Sequence, residues 1–511
     1  MRPLGRLLVS LAAVTAASAC SGGAPADLSV RQRIERVENG LLPAVVVRGQ
    51  EPPRTTIRTV MERFHVPAVS IAVINDGRLE WARAYGVTEV GGTAVDTATL
   101  FLAGHIGQAI ATVAALRLLD EGLLDLDRNV NDRLTSWQVP DNEFTTTEKV
   151  TLRRILSHTS GLSLTSQPGY STTDSLPTLR QVLDGVAPAR SQPVRVLDTP
   201  GSRGRYSLGG FVVLQQLVED VTAMPYADYA RARVLAPLGM GRTSHTQPLS
   251  ATLAGNAASG HEPSNERVPG RWRVFPELAA LGMWTTPSDL ARLAIELQRS
   301  ASGRSAGVIS LAAAEAMFSP QSENRGLGFE VGGQAGRRFF RLEGHGNNHL
   351  SELFAYVARG MGAVVMTNSS NGEGVKAQIL RAIAAEYGWP DPVPEEVEVA
   401  RLSDEVLKGL EGRYAFRGRD RVLIVDGGRI LQRSEGGVEE ELLPLSQDLL
   451  VSVSFGYRYA VNRDASGSVT GLTLILHNTR LFTYERVLAD AKVGRFPAHG
   501  PRGRGMRQRL T

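Results

Sequence analysis

The sequence predicts an α/β fold: a mixed domain with helices inserted between the first and last strands of its sheet, then a small C-terminal antiparallel β-barrel-like domain. Three observations carry that reading. Residues 67–74 and 79–86 are strand-like runs joined through Asn75-Asp76-Gly77, an Asp-Gly turn of the kind that closes a hairpin. Strand-like runs return at 339–342, 353–357 and 362–366, with a closing helix at 374–387 behind them. Beyond an acidic, proline-spaced stretch from Asp391 to Glu398, short runs at 412–414, 422–425, 430–431, 457–461, 472–476 and 481–484 alternate with turn residues, the spacing of a barrel or curled sheet.

Taken in order, residues 1–20 read as an export signal outside the fold. Arg2 and Arg6 precede an apolar run at 7–17, too short to span a bilayer, and Ala17-Ser18-Ala19-Cys20 supplies small residues for cleavage. Residues 21–53 form a linker with a polar helix at 26–42, and 53–64 suggests a second helix. After the hairpin, a helix from Ala109 is apolar nearly all round (Ile110, Val113, Ala114, Leu116, Leu118, Leu119), so it is expected to be buried, with Gly122 as its stop. A short helix follows within 150–162, ended at Gly161. Residues 161–199 are rich in Ser, Thr, Pro and Gly and are expected to form a long surface excursion. A tight loop at 200–210 feeds a helix at 211–221, and Pro287 suits the first turn of another helix that Thr286 caps. Gly326-Leu327-Gly328-Phe329 reads as strand. The expected boundaries are then 54–390 for the main domain, 391–404 for a linker, 405–490 for the small β domain and 491–511 for a basic flexible tail.

At 511 residues, 42% apolar and 21% charged, the chain has an ordinary globular composition and room for a large core. Its net charge of +4 misleads: six basic residues and no acid lie between Lys492 and Thr511, and the remainder is near neutral. Such a Gly/Pro/Arg tail reads as solvated, and no nucleic-acid partner is expected. Cys20 is the single cysteine, which excludes an internal disulfide. At the end of the signal, before Ser21-Gly22-Gly23, it resembles a bacterial lipobox whose cysteine becomes the lipidated first residue, although Ala17 stands where Leu is usual. The expectation is an exported protein, periplasmic or at the cell surface, held on a bacterial membrane by a lipid on Cys20.

The buried helix is introduced by Leu100-Phe101-Leu102-Ala103-Gly104-His105-Ile106-Gly107-Gln108. Polar residues in the first turn of a buried helix, beside two glycines, read as a pocket floor, where backbone N–H groups and the positive end of the helix dipole converge.

Several segments together, over about residues 54–390, resemble the class C serine β-lactamases and their relatives, the low-molecular-weight penicillin-binding proteins and esterases. They are Phe101-Leu102-Ala103-Gly104, the run from Leu119-Asp120-Glu121-Gly122 to Leu126-Asp127, Leu156-Ser157-His158-Thr159-Ser160-Gly161-Leu162, Arg205-Tyr206-Ser207, the run from Val234 to Met240, the run from Trp284 to Leu290, and Gly344-His345-Gly346. The C-terminal β unit resembles the barrel often appended to such proteins. The resemblance implies a β-lactamase/transpeptidase-like domain, an antiparallel sheet plus a helical region. It also implies three chemical parts: a Ser-x-x-Lys opening the buried helix, with Ser as nucleophile and Lys taking its proton; a Tyr in a Tyr-x-Asn-like loop as acid or base; and a Lys or His-x-Gly strand motif that holds a substrate carboxylate.

This chain departs from each part. His105 occupies the Ser position and Gln108 the Lys position. Tyr206 and the following Ser207 are kept, with Leu208 in the third place, and His345 and Gly346 are kept, with Asn347 where Gly is expected. A glutamine amide has no titratable proton and cannot be the general base, and an imidazole lacks the hydroxyl that gives a stable ester. Where nucleophile and base act as a unit, losing either costs on the order of a millionfold in turnover. The resemblance therefore implies a non-catalytic homologue, without a cofactor, whose pocket residues (Tyr206, Ser207, Leu208, His345, Gly346, Asn347, His349) bind a small molecule or a peptidoglycan-type peptide, a D-amino-acid ligand or a partner. Alternatives remain open at this point: Ser207 as a displaced nucleophile with His105 as base, Ser157 or Ser160 in that role, or zinc on His105, His345 and His349.

Overall fold

The computed structural model describes residues 24–163, 168–305, 307–334, 336–476 and 479–487. Cys20, the expected export signal and the expected basic tail lie outside the described residues. No helix among the described residues is long and apolar enough to cross a membrane.

The main sheet has six antiparallel strands: β1 (Ala68–Asn75), β2 (Arg78–Gly86), β3 (Glu330–Gly332), β4 (Phe339–His345), β5 (Leu350–Tyr356) and β6 (Gly362–Thr367), in the order β2-β1-β6-β5-β4-β3. The hairpin closes as its residues require: Asn75 pairs with Arg78, and Asp76 and Gly77 take φ of 50° and 68°. β1 is covered on both faces, and its alternating side chains divide between two cores. Val69, Ile71 and Val73 pack with α1 (Ala24–Glu38), α2 (Ile57–Arg63) and, near the end of the domain, α6 (Gly372–Tyr387). Ala68, Ala72 and Ile74 face the inserted helices, α3 (Gly107–Asp120), α4 (Leu208–Thr222) and α5 (Pro287–Ala301).

α3 is enclosed: Ala109, Ile110, Val113, Ala114, Leu116 and Leu118 have no solvent exposure. α5 starts as its sequence predicts, with Pro287 in the first turn and the Thr286 side chain accepting from the Asp289 N–H at 3.2 Å. Two expectations fail. The described residues within 161–199 are not a free surface excursion: Leu162 bridges Val196, a helix at Leu179–Asp184 intervenes, and Val182, Leu183 and Val194 are fully buried and anchor the segment, although Val186 and Leu197 stay exposed. Residues 326–329 form a turn, and the strand begins at Glu330.

After a helix at Asp404–Leu410, eight antiparallel strands from Gly412–Phe416 to Thr479–Val487 close into a barrel, the last pairing with the first through Arg413 and Val487. Leu407 and Leu410 of that helix join Tyr414, Tyr459 and Tyr484 in the barrel core. The barrel is fixed to the main domain. Val45–Val47 pairs in parallel with Glu395–Val397, inside the stretch expected as linker. Phe455 meets Phe64 of α2 edge-on at 5.7 Å, and the Arg381 guanidinium donates to the carbonyls of Leu42 and Ser454 at 3.0 and 3.1 Å.

Candidate active-site cavity

The cavity lies where α3 begins, against the end of β4. A single tight turn, Gly104–Ile106, leads into α3, and Gly104 takes φ of 54°. A Cβ there would stand 2.5 Å from the His345 carbonyl carbon and oxygen and 2.6 Å from the Gly346 nitrogen. Only glycine permits both that backbone and that approach. The contact brings the His105 ring to 6.0 Å from the His345 ring, centroid to centroid.

The third wall comes from the loop before α4. The Tyr206 ring lies 5.3 Å from His105 and 4.5 Å from His158, and its oxygen accepts a 2.8 Å hydrogen bond from Gln108 Nε2. Behind it, the Ser207 N–H donates to His158 Nδ1 at 3.3 Å, which leaves that nitrogen as an acceptor. Arg325, Glu330 and Glu343 complete a cavity of about 140 Å³.

Burial sets the protonation of these groups. It lowers the His105 imidazole to about 4, with the neighbouring His345 charge adding to the effect. Burial first, then Arg325 and His105, brings His158 down to about 3. The Tyr206 phenol is pushed well above its ordinary value by burial, against the smaller opposing effects of Gln108 and Arg325. At neutral pH the floor of the cavity is thus two neutral imidazoles, a neutral phenol and an amide. His345 Nε2 lies 3.6 Å from Glu343 Oε2, and this partner, followed by Lys376 and Arg341, holds the Glu343 carboxyl well below the usual carboxylate range despite its burial.

Of the residues singled out in the sequence, His105, Gln108, Tyr206 and His345 line the cavity, and Gly346 abuts Gly104. The others stand apart. The Ser207 hydroxyl is spent on capping α4: it accepts from the Gly210 N–H at 3.0 Å and donates to the Ser163 carbonyl at 2.9 Å, so it does not face His105. Leu208 is core. Asn347 is turned outward, and its amide donates to the Pro168 carbonyl at 2.9 Å. His349 is buried between Phe101 and Trp284 with Nε2 3.1 Å from the Ala258 carbonyl, so the three-imidazole zinc arrangement does not form. No group of three or more His, Cys, Asp or Glu among the described residues could hold a metal. Ser157 donates to the Arg153 carbonyl at 2.8 Å, Ser160 is buried, and neither lines the cavity.

Sequence reasoning did not single out His158, Arg325, Glu330 or Glu343 as cavity walls. The glycines flanking the Arg325 turn were a visible signal: Gly328 has φ of 73°, and a Cβ there would fall 2.0 Å from Thr112 Oγ1 on α3. Such a glycine reports a close approach between segments distant in sequence.

A family model described as Beta-lactamase matches residues 54–387, well over half of the chain. The chain belongs to the Beta-lactamase family. Among curated relatives, it is 27% identical over 366 residues to penicillin-binding protein 4 of Amycolatopsis lactamdurans, covering 66% of this chain and 92% of that one. It is also 27% identical over 255 residues to the unguisins hydrolase ungD′ of Aspergillus campestris, a match spanning 45% of each chain. In structure it resembles an octameric penicillin-binding protein homologue from Pyrococcus abyssi, with a TM-score of 0.57, 22% identity, and coverage of 83% of this chain and 95% of that one. At that identity the likeness speaks for the fold alone. The family fold is thus kept over the matched residues, with its sheet and its inserted helices, and a closed barrel follows it along the chain.

Proposed function

We propose that this protein is a non-catalytic member of the Beta-lactamase family, exported and lipid-tethered through Cys20, that holds a cell-wall-type peptide or a D-amino-acid ligand in the cavity at His105. One observation carries the reading: the position three residues after His105 presents an amide whose N–H is donated to Tyr206, so the cavity has neither a serine or threonine hydroxyl nor an amine to remove a proton. The remaining serines near the site support it, because their hydroxyls are capping, buried or bonded to carbonyls.

The proposed role uses what remains. A pocket floor whose buried imidazoles (His105 and His158), phenol and amide are neutral at pH 7 offers hydrogen-bond donors and acceptors without an amine base, which suits holding a ligand rather than cleaving it. Incubation with fluorescent penicillin or a fluorophosphonate tests this. No labelled band is expected, and labelling that maps to the cavity defeats the proposal. Titration with muropeptides in a calorimeter is expected to show non-covalent binding.

A further inference from the structure

At the end of the sheet away from the cavity, three turns come together. Asp76 and Gly77 join β1 to β2, residues 357–361 join β5 to β6, and residues 333–338 join β3 to β4. The register sets them side by side: Ile74 pairs with Gly362, Phe339 with Tyr356, and the Gly77 N–H donates to the Gly360 carbonyl at 2.9 Å. α5 ends at the same turns, where Gln298 Nε2 donates to the carbonyls of Tyr356 and Met361 at 2.8 and 3.0 Å.

This rim is basic. Arg78, Arg337, Arg338 and Arg359 rise from the turns, Arg299 and Arg304 from the end of α5, and all six are exposed. Among the described residues none of the six is paired with a carboxylate. Arg338 and Arg359 donate to the carbonyls of Phe318 and Gly336, and Arg304 to the Ser302 hydroxyl. Of the acids nearby, Glu80 and Glu386 are held by Arg33 and Arg36 of α1, and Asp120 and Glu121 by Ser310 and Arg233. That leaves Asp76 and Asp391, both exposed, against six guanidiniums. Like charges gathered on one rim repel one another, so the cluster adds nothing to folding and suits an anionic surface.

α1 runs toward this rim. Glu38 in its last turn accepts from the Tyr85 hydroxyl at 2.7 Å, while Arg33 donates at 2.8 Å to Glu80, which also accepts from Asn75 at 3.1 Å. From Arg33 the helix continues nine residues back to Ala24, a rise of about 13 Å. Cys20 stands four residues earlier in the sequence, a span of at most about 14 Å.

We propose that this rim is a membrane-docking face, its arginines seated on the phosphates of an anionic bilayer that the Cys20 lipid enters from the same end. This rests on the proposed tether and adds the orientation in which the tethered protein sits. A lipid on a short leader fixes distance and leaves rotation free; a basic rim beside it fixes rotation as well. Guanidinium forks match phosphate oxygens, and each cation near an anionic leaflet raises partitioning roughly fivefold. β4 runs from Phe339 at the rim to His345 at the cavity, about 20 Å along the strand, so docking leaves the cavity open on the far side.

The test uses the full chain as Cys20→Ala, which isolates the rim from the lipid, and flotation with vesicles. Binding is expected with equal parts phosphatidylcholine and phosphatidylglycerol, not with phosphatidylcholine alone, and is expected to be released by high salt. Arg78→Gln with Arg337→Gln and Arg359→Gln is expected to lower partitioning on the order of a hundredfold. Arg58→Gln with Arg203→Gln and Arg267→Gln, three exposed arginines elsewhere, is expected to leave it within about twofold. A dye on Ala358→Cys is expected to be quenched by spin-labelled headgroups, and one on Ser264→Cys, at the cavity's end, is not. Equal loss in the two triple variants, equal quenching at the two cysteines, or rim-dependent binding to soluble heparin without binding to vesicles overturns the inference. So does binding that survives the rim triple variant and vanishes when the six basic residues from Lys492 to Arg509 are replaced by Gln. Absence of an acyl group on Cys20 in chain exported from a bacterium defeats the tether alone, because the rim is measured without it.

Discussion

The Gln108 side-chain amide donates a 2.8 Å hydrogen bond to the phenolic oxygen of Tyr206. The bond links the first turn of α3 to the loop before α4, and it fixes the direction in which both groups work. The amide nitrogen's lone pair is delocalised into its carbonyl and does not accept a proton, and the phenol oxygen it faces belongs to a group held neutral by burial. The pair is a strut where a proton relay would otherwise stand.

Wild-type protein is accordingly expected to give no covalent adduct with fluorescent penicillin over hours, and ester hydrolysis at or near the buffer rate. Active-site-labelling gels and a chromogenic ester assay check this. The deficit relative to an intact nucleophile and base is on the order of a millionfold.

His105→Ser combined with Gln108→Lys restores a hydroxyl and an amine one helical turn apart, with the new amine within reach of Tyr206. The double variant is expected to form a labelled band and to show slow esterase activity, while each single variant stays near background, because nucleophile and base act together. Activity in Gln108→Lys alone would mean that His105 itself is acylated.

His158 gives a pH signature. Its folded value of about 3 lies below the ordinary 6.5, so as pH falls the unfolded chain takes up a proton that the folded chain refuses. Stability from the neutral buried ring is present above about pH 6.5 and is lost progressively as pH falls toward about 3. Relative to His158→Asn, which does not titrate, wild-type stability is expected to decline by about 1.4 kcal/mol per pH unit across that window. Chemical denaturation at pH 7, 6, 5 and 4 measures the difference. Parallel curves for the two proteins would contradict burial of the ring.

Gly328→Ala is expected to lower stability by about 2 kcal/mol or more, since φ of 73° disfavours a side chain and the new Cβ would meet Thr112 Oγ1 at 2.0 Å. Adding Thr112→Ala removes the nearest atom, so the double variant is expected to lose less than the sum of the single losses. Thermal unfolding of the four proteins checks it, and strict additivity would show that the two residues are not in contact.

Much of this architecture could be read along the chain because its signals are local. The Asp76-Gly77 turn, the Thr286 cap with Pro287, the all-apolar sides of α3 and the alternation in the barrel strands each depend on neighbours a few residues away. The floor of the cavity was legible for the same reason, since His105 and Gln108 occupy one turn of helix and Tyr206 follows a recognisable loop. Residues 161–199 misled because composition describes a segment's average polarity, whereas Val182, Leu183, Val194 and Val196 decide its burial.

The order of residues by itself settled which atoms are available: an imidazole and an amide at the head of α3, with no Ser-x-x-Lys. Only the tertiary structure decided which distant groups face them. Ser207 looked poised beside Tyr206, yet the need to cap α4 turns its hydroxyl away; His349 lies four residues from His345, yet a chain reversal buries it against Ala258. Arg325 arrives from more than two hundred residues downstream of His105, because Gly328 lets its turn press against Thr112. Covalent order restricts neighbours to a few residues, and the closing of helices onto a sheet sets the rest.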